Sequence, residues 1–137
     1  ENKSKDTYSI IQDAEAIRAI KTMLKTQQDC WNKGDIEGFM QGYWNSEELV
    51  FTSLKYKPAY GWKETLKIYK ESYPSKESMG ELIFNIIDLE LTSNTTATLK
   101  GKWKLIRKYD HPNGLFWINI KKFDNNWLIT KDSTISL

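Results

Sequence analysis

Residues 97–105, ATLKGKWKL, decide the fold, because apolar or small side chains alternate there with threonine and lysine at every second position. A period of two is typical of a β-strand with one face buried and the other in water. The alternation assigns Trp103 to the inner face and Lys100, Lys102 and Lys104 to the outer face. It therefore predicts a strand in a sheet that covers a core on one side.

The chain around this strand has the pattern of a meander of four strands joined by short turns. A strongly apolar segment, residues 81–91, precedes it, and residues 115–123 and 127–136 follow it. Turn-forming residues separate these segments. The turns are Ser93-Asn94, Pro112-Asn113-Gly114 and Asp124-Asn125-Asn126. The last third of the chain thus predicts a mostly antiparallel sheet.

Three helical segments precede this sheet. The first is predicted to begin near Ser9, where Ser9 and Gln12 have the spacing of a capping box, and to end at Gly34 in a left-handed conformation. Asp35 can then cap a short second helix at once. Apolar side chains recur at helical spacing: Ile10, Ile17, Ile20, Leu24 and Trp31 in the first helix, Ile36, Phe39, Met40 and Tyr43 in the second, and Trp62, Leu66, Tyr69 and Tyr73 in the third. A short strand at residues 49–54 and a polar loop at residues 75–80 complete the prediction.

Helices followed by a meander sheet define a single α+β domain over residues 9–137. Residues 1–8 form a polar leader that we expect to be disordered. Such a leader is typical of what is left after a targeting segment or a tag is removed, which would suit a protein exported to the periplasm or tethered to a lipid; the alternative is a cloning boundary.

Composition narrows the classes of function. The 137 residues carry a net charge of +2, so nothing in the overall charge indicates a nucleic-acid partner. No apolar run approaches the ~20 residues of a transmembrane segment. Cys30 is the only cysteine, which excludes an internal disulfide.

Motifs at three corners of this arrangement resemble the NTF2-like superfamily, the cone-shaped cystatin-like α+β fold, and within it the SnoaL-like and DUF4440-like groups. They are Trp31-Asn32-Lys33-Gly34-Asp35 between the first two helices, Tyr60-Gly61 before the third, and FDNNWLI at residues 123–129, running on to Asp132. The resemblance covers about residues 12–136. Many DUF4440-like sequences carry a histidine directly after the late Asp, where this chain has Ser133, which argues against activities that need that imidazole.

The resemblance implies a homodimer and a pocket between sheet and helices. The superfamily's enzymes include ketosteroid isomerases, polyketide cyclases, dehydratases and epoxide hydrolases, which use an Asp base and a group that stabilises the opposing charge. Asp132 is the candidate catalytic residue, with Tyr43 or Tyr60 as hydrogen-bond donor. Strand alternation does not settle which face Asp132 occupies, and a strand-end carboxylate bonded to the backbone or Lys131 is the alternative. The outward lysine row weakens the expectation of a dimer through that face.

Aromatic side chains are the other candidate site residues, because flat apolar walls with a polar atom suit a ring-bearing ligand. The alternative is that these side chains fill the core completely. The candidates are Trp31, Tyr43, Tyr60, Tyr69, Trp103 and Trp117.

No metal or cofactor is predicted. His, Cys and Asp residues nowhere show metal-ligand spacing, and no phosphate-binding or dinucleotide motif occurs. Asp88, Arg107 and the turn residue His111 are weaker site candidates. The sequence therefore predicts a domain that binds a small apolar or cyclic molecule, with cofactor-free acid–base catalysis as its enzymatic form. A non-enzymatic module for protein binding or oligomerisation is the alternative, and an open cavity would favour the first.

Overall fold

A computed structural model describes residues 6–55 and 57–137. Helices come first and the long strands last, so the predicted α+β order is confirmed. The helices are α1 (Thr7–Asn32), α2 (Ile36–Phe39), α3 (Trp62–Ser72) and α4 (Lys76–Met79), with a 3₁₀ turn at Met40–Gly42. The strands are β1 (Val50–Ser53), β2 (Ala59–Tyr60), β3 (Glu81–Leu91), β4 (Thr96–Ile106), β5 (Asn113–Phe123) and β6 (Asn126–Ser136).

The described strands form one open sheet in the order β2-β1-β6-β5-β4-β3. Strands β3 to β6 are the predicted meander, and every neighbouring pair is antiparallel except β1 with β6. That parallel pair sets Phe51 opposite Asp132, which brings the first strand of the chain against the last. The inward residues of the sheet and one stripe of α1 enclose the core, and the alternation predicted for residues 97–105 is confirmed by their burial.

The predicted beginning of the first helix is wrong. Asp6, with extended backbone, is the N-cap, and its carboxylate accepts a hydrogen bond from the Ser9 amide at 2.8 Å. A short carboxylate one residue before the helix satisfies that amide directly, which makes a capping box at Ser9 unnecessary. The last two residues of the predicted leader are therefore helical, and residues 1–5 lie outside the described residues.

The corner after α1 forms as predicted, whereas the loop at residues 75–80 contains a helix. Gly34 has a φ of +81° and its amide donates to the Trp31 carbonyl, while Asp35 accepts from the Gly38 amide at 2.8 Å. In the supposed loop, Ser75 caps α4 through a reciprocal capping box with Ser78. Serine three residues after serine was the overlooked signal.

Helix α1 covers the edge strand β3. Asn32 accepts a hydrogen bond from the Leu82 amide at 2.6 Å and donates one to the Leu82 carbonyl at 3.1 Å. One helical turn earlier, Gln28 accepts from the Phe84 amide at 2.9 Å. Side chains four residues apart on a helix face the same way, so they match alternate residues of a strand. These bonds satisfy edge-strand backbone groups and fix α1 against the sheet.

A bulge in β6 determines which side chains of that strand face inward. Ile129 pairs with Ile120 and Lys131 pairs with Asn119, so Thr130 is an extra residue without a register partner in this pair. Regular alternation would place Asp132 on the face opposite Ile129. Because the bulge reverses the alternation, both Ile129 and Asp132 are buried on the inner side.

Candidate functional site

An open cavity of about 530 Å³ lies between the helices and the inner face of the sheet. That volume is within the usual range for small-molecule sites, and most of the lining is apolar. Four of the six predicted aromatic side chains line it, namely Trp31, Tyr43, Tyr69 and Trp103. The aromatic residues therefore leave usable space rather than filling the core completely.

Tyr60 and Trp117 are not brought to this cavity. Tyr60 lies in the edge strand β2 and is 66% exposed. Trp117 is 40% exposed on the outer face, where the Lys100 ammonium lies 5.6 Å from its ring centroid. The neighbouring Phe116 and Ile118 face the core instead, so strand alternation turns Trp117 outward.

Rings from the helices form the opposite wall of the cavity. Trp31 meets Phe39 edge to face with centroids 5.0 Å apart, and Tyr69 packs edge to face on both at 5.9 Å and 5.1 Å. The Trp31 indole N–H donates to the Met79 carbonyl at 3.0 Å. Edge-to-face contacts with satisfied polar atoms produce a rigid wall.

Asp132 lies at the end of a buried hydrogen-bond chain. The Tyr43 hydroxyl donates to Asp132 Oδ2 at 2.6 Å, and the Tyr43 and Tyr69 hydroxyl oxygens are 3.1 Å apart. Since an ionised carboxylate only accepts, the Tyr43 proton goes to Asp132 and Tyr69 must then donate to Tyr43. The chain thus runs from Tyr69 through Tyr43 to the carboxylate.

Three separate elements bring these groups together. Tyr43 follows the 3₁₀ turn, and its backbone forms a β-bridge with Ile129 of β6. Its ring therefore lies beside Asp132, three positions further along that strand. Tyr69 comes from the last turn of α3, and the Trp62 indole N–H of that helix donates to the Met40 carbonyl at 2.9 Å. The tyrosines are therefore held by backbone contacts and not only by each other.

Burial sets the protonation of this group. Burial raises the pKa of Asp132 from the ordinary 3.8 to about 6, against the opposing effect of the hydrogen bond from Tyr43. Burial, with the nearby Asp132 charge, also raises the pKa of Tyr43 and of Tyr69 well above 10.0. Both phenols consequently remain hydrogen-bond donors, while Asp132 changes charge near neutral pH.

Two glycines shape the sheet side of the cavity. A Cβ at Gly101 would lie 2.5 Å from the Phe116 ring, and one at Gly114 would lie 1.8 Å from the Ile135 carbonyl oxygen and 2.7 Å from Trp103 Nε1. The Phe116 and Trp103 rings therefore lie over glycines of the neighbouring strand. Glycine at an inward strand position was a signal of close approach that the sequence contained.

The weaker candidates lie elsewhere. Arg107 borders the cavity, but two of its nitrogens donate to the two carboxylate oxygens of Asp110, each at 2.6 Å, and a third donates to the Ser78 carbonyl. Asp88 and His111 are exposed. None of these groups joins the hydrogen-bond chain at Asp132.

Two further properties concern only the part of the chain that the structure describes. Among residues 6–55 and 57–137, no three His, Cys, Asp or Glu side chains gather in a way that would hold a metal ion. None of the described helices combines the length and apolar character that a membrane crossing requires.

Known structures share this arrangement of helices and sheet. The chain is 42% identical to an NTF2-like protein of unknown function from Shewanella oneidensis MR-1, over 88% of this chain and 98% of that one, with a TM-score of 0.83. The chain therefore belongs to the NTF2-like superfamily, as its sequence motifs predicted. The narrower SnoaL-like and DUF4440-like assignment stays a prediction.

More distant structures share the fold alone. A ketosteroid isomerase-like protein from Erwinia carotovora atroseptica SCRI1043 is 14% identical over 88% of this chain and 95% of that one, with a TM-score of 0.72. A candidate scytalone dehydratase from Novosphingobium aromaticivorans DSM 12444 is 14% identical over 93% and 88%, also at 0.72. No protein-family model matches the chain, and no curated protein does.

Proposed function

We propose that this domain binds a small apolar or ring-containing molecule in its cavity and acts on it by cofactor-free acid–base chemistry at Asp132. One observation carries the proposal: Asp132 is only 6% exposed, borders an open cavity, and has one oxygen held by Tyr43 while the other has no hydrogen-bond partner. Buried polar groups are normally paired, so an unpaired carboxylate oxygen beside a cavity supports a functional role.

The protonation of this group suits proton transfer. Above about pH 6 the carboxylate is ionised, and its free oxygen can take a proton from a C–H or O–H group of the ligand. The Tyr43 hydroxyl holds the other oxygen and keeps the carboxylate oriented. Asp132 then returns the proton to a different atom of the same molecule, which gives isomerisation, cyclisation or elimination without a cofactor.

Related structures support this class of reaction. Two proteins of the same fold are described as ketosteroid isomerase-like and as a candidate scytalone dehydratase, and both kinds of reaction move protons on a cyclic skeleton. At 14% identity they support the type of chemistry and leave the substrate open.

Proton exchange tests the proposal without knowledge of the product. Native mass spectrometry of gently purified protein would identify a retained molecule. That molecule, or a panel of cyclic ketones, is then incubated in deuterium oxide with the protein, and loss of acidic C–H signals is followed by NMR. We expect exchange with the wild type and none above background with Asp132→Asn, while Asp88→Asn, an exposed carboxylate, behaves as wild type. Equal exchange with Asp132→Asn would refute the catalytic role.

The outer sheet face favours a second candidate, a homodimer or a protein-binding module. Trp117 exposes 40% of its surface there and offers a large, partly apolar contact area. Lys102 and Lys104 are exposed on the same face and oppose a symmetric contact. Analytical ultracentrifugation of the wild type and Trp117→Lys tests it: a dimer that the substitution dissociates supports the candidate, and an unchanged monomer excludes the homodimer.

A further inference from the structure

Two buried polar side-chain atoms in the described part of the chain have no hydrogen-bond partner, and both belong to residues that line the cavity. They are the indole Nε1 of Trp103 and Oδ1 of Asp132. A buried donor or acceptor without a partner is costly, and native proteins keep few of them. Since both occur at one cavity, their shared explanation is a ligand that supplies the missing partners.

The chemistry of the two atoms differs. An indole N–H can only donate, so its partner must be an acceptor such as a carbonyl, ether or hydroxyl oxygen. The ionised carboxylate only accepts, so its partner must offer a hydrogen, either O–H, N–H or the proton that is transferred. The ligand therefore needs an acceptor at one position and a donor or acidic hydrogen at another.

The sheet register sets the separation of those positions. Trp103 pairs with Gly114 and Asp132 pairs with Ile118, so the two residues flank β5 four residues apart. At about 3.4 Å per residue along a strand this offset alone is roughly 14 Å between the backbones. The Trp103 ring leans over its register partner Gly114, which narrows the gap across the strands and leaves the offset along them. One ring does not span such a distance.

We propose that the ligand is an elongated, largely apolar molecule of at least two rings, with a hydrogen-bond acceptor at the end that reaches Trp103 and the reacting hydrogen at the end that reaches Asp132. Trp103 is then a specificity-determining residue of the site. This inference rests on the proposed function and adds the shape and polarity of the substrate.

Binding also involves a small adjustment of the wall. Each of the two atoms exposes less than 1 Å² in this conformation, so the ligand meets them after a slight rotation of the indole or the carboxyl group. The new hydrogen bond provides the driving force.

Four probes that share one skeleton test this inference: biphenyl, para-phenylphenol, para-acetylbiphenyl, and the biphenyl that carries hydroxyl and acetyl groups at opposite ends. Calorimetric titration measures their affinities for the wild type, Trp103→Phe and Trp117→Phe. We expect the acetyl group to strengthen binding of the hydroxylated skeleton roughly three- to tenfold in the wild type, the usual gain from one neutral hydrogen bond. Trp103→Phe should abolish that gain and leave the affinity for para-phenylphenol nearly unchanged.

The control variant makes the same chemical change outside the cavity, so Trp117→Phe should keep the full gain. This inference is overturned if the acetyl group still strengthens binding to Trp103→Phe. It is also overturned if the acetyl group does not strengthen binding to a wild type that binds para-phenylphenol. Either result leaves the proposed function intact. Failure of all four probes to bind the wild type also overturns this inference, whereas the proposed function is decided by deuterium exchange with Asp132→Asn. If Trp103→Phe does not fold, NMR of the wild type decides: one of the six indole N–H resonances must shift with the acetyl probes and not with para-phenylphenol.

Discussion

The Asp132→Asn substitution is expected to stabilise the folded domain at neutral pH and to lose this advantage in acid. Folding buries the carboxylate, and burial raises its pKa from 3.8 to about 6. The folded state therefore favours the protonated form more strongly than the unfolded chain does. A neutral amide has no proton to lose, so the variant avoids the free-energy cost of a buried charge while it still accepts the hydrogen bond from Tyr43.

The magnitude follows from the difference in pKa. Below about pH 4 the carboxyl group is protonated in both states and has no ionisation cost. Between about pH 4 and about pH 6 the unfolded chain loses its proton while the folded domain keeps it, so stability falls as pH rises. A difference of about two pH units corresponds to about 3 kcal/mol, with 1.36 kcal/mol for each unit. Above about pH 6 the carboxyl group is ionised in both states, so the free-energy cost of burying its charge no longer changes with pH.

Urea unfolding of wild type and variant, followed by tryptophan fluorescence at a series of pH values, measures this effect. The quantity of interest is the difference in free energy of unfolding, because contributions of the other titrating groups cancel in it. We expect that difference to move in favour of the variant by about 3 kcal/mol between about pH 4 and about pH 7. The exposed Asp88→Asn is the matched control. A difference that stays constant with pH, or moves the other way, would refute the burial argument.

Three other substitutions test neighbouring parts of the structure. Tyr43→Phe removes the hydrogen-bond donor to Asp132, so it should raise the pKa of that carboxyl further, which carboxyl-carbon NMR measures. The same substitution should lower the free energy of unfolding by about 1–3 kcal/mol, which urea unfolding measures. Gly114→Ala places a Cβ 1.8 Å from the Ile135 carbonyl oxygen and should cost about 2 kcal/mol or more, seen in thermal unfolding. Asn32→Ala uncovers edge-strand backbone and should cost about 1–3 kcal/mol and promote aggregation, seen by unfolding and light scattering.

Matched variants make each result specific. Tyr60→Phe removes an exposed hydroxyl and Asn45→Ala an exposed amide, so both should leave stability within about 0.5 kcal/mol of the wild type. A Tyr43→Phe variant whose Asp132 pKa falls would contradict the direction of the hydrogen bond. Wild-type stability for Gly114→Ala would show that the sheet can move apart there, and an unchanged Asn32→Ala would show that water satisfies the edge strand.

Local periodicity was sufficient for much of the fold. Alternation in residues 97–105 identified β4 and its two faces, and the Trp31–Asp35 motif identified the corner after α1. Asp132 was named as the base with Tyr43 or Tyr60 as hydrogen-bond donor, but the contact between Asp132 and Tyr43 joins residues 89 positions apart, which no local pattern encodes. The face of Asp132 was also undetermined, because the bulge at Thr130 arises from pairing with β5.

The direction of the Trp117 side chain also could not be predicted from the sequence. Apolar residues occupy both faces of β5, so its composition does not reveal which set faces the core. Burial of Phe116 and Ile118 decides it, and that burial depends on the glycine opposite Phe116 in β4. Side-chain direction in such a strand is a property of the assembled sheet and not of the segment.

The bulge in β6 has a consequence for how the site is inherited. If β6 paired with β5 without this bulge, regular alternation would turn the carboxylate of Asp132 to the outer surface and present Ser133 to the cavity. Every residue of the site would still be encoded, yet the site would not exist. When relatives are compared, their last strands should be counted from the bulge rather than from the preceding turn. A relative that lacks the bulge residue would carry its inward acid one position closer to the preceding turn.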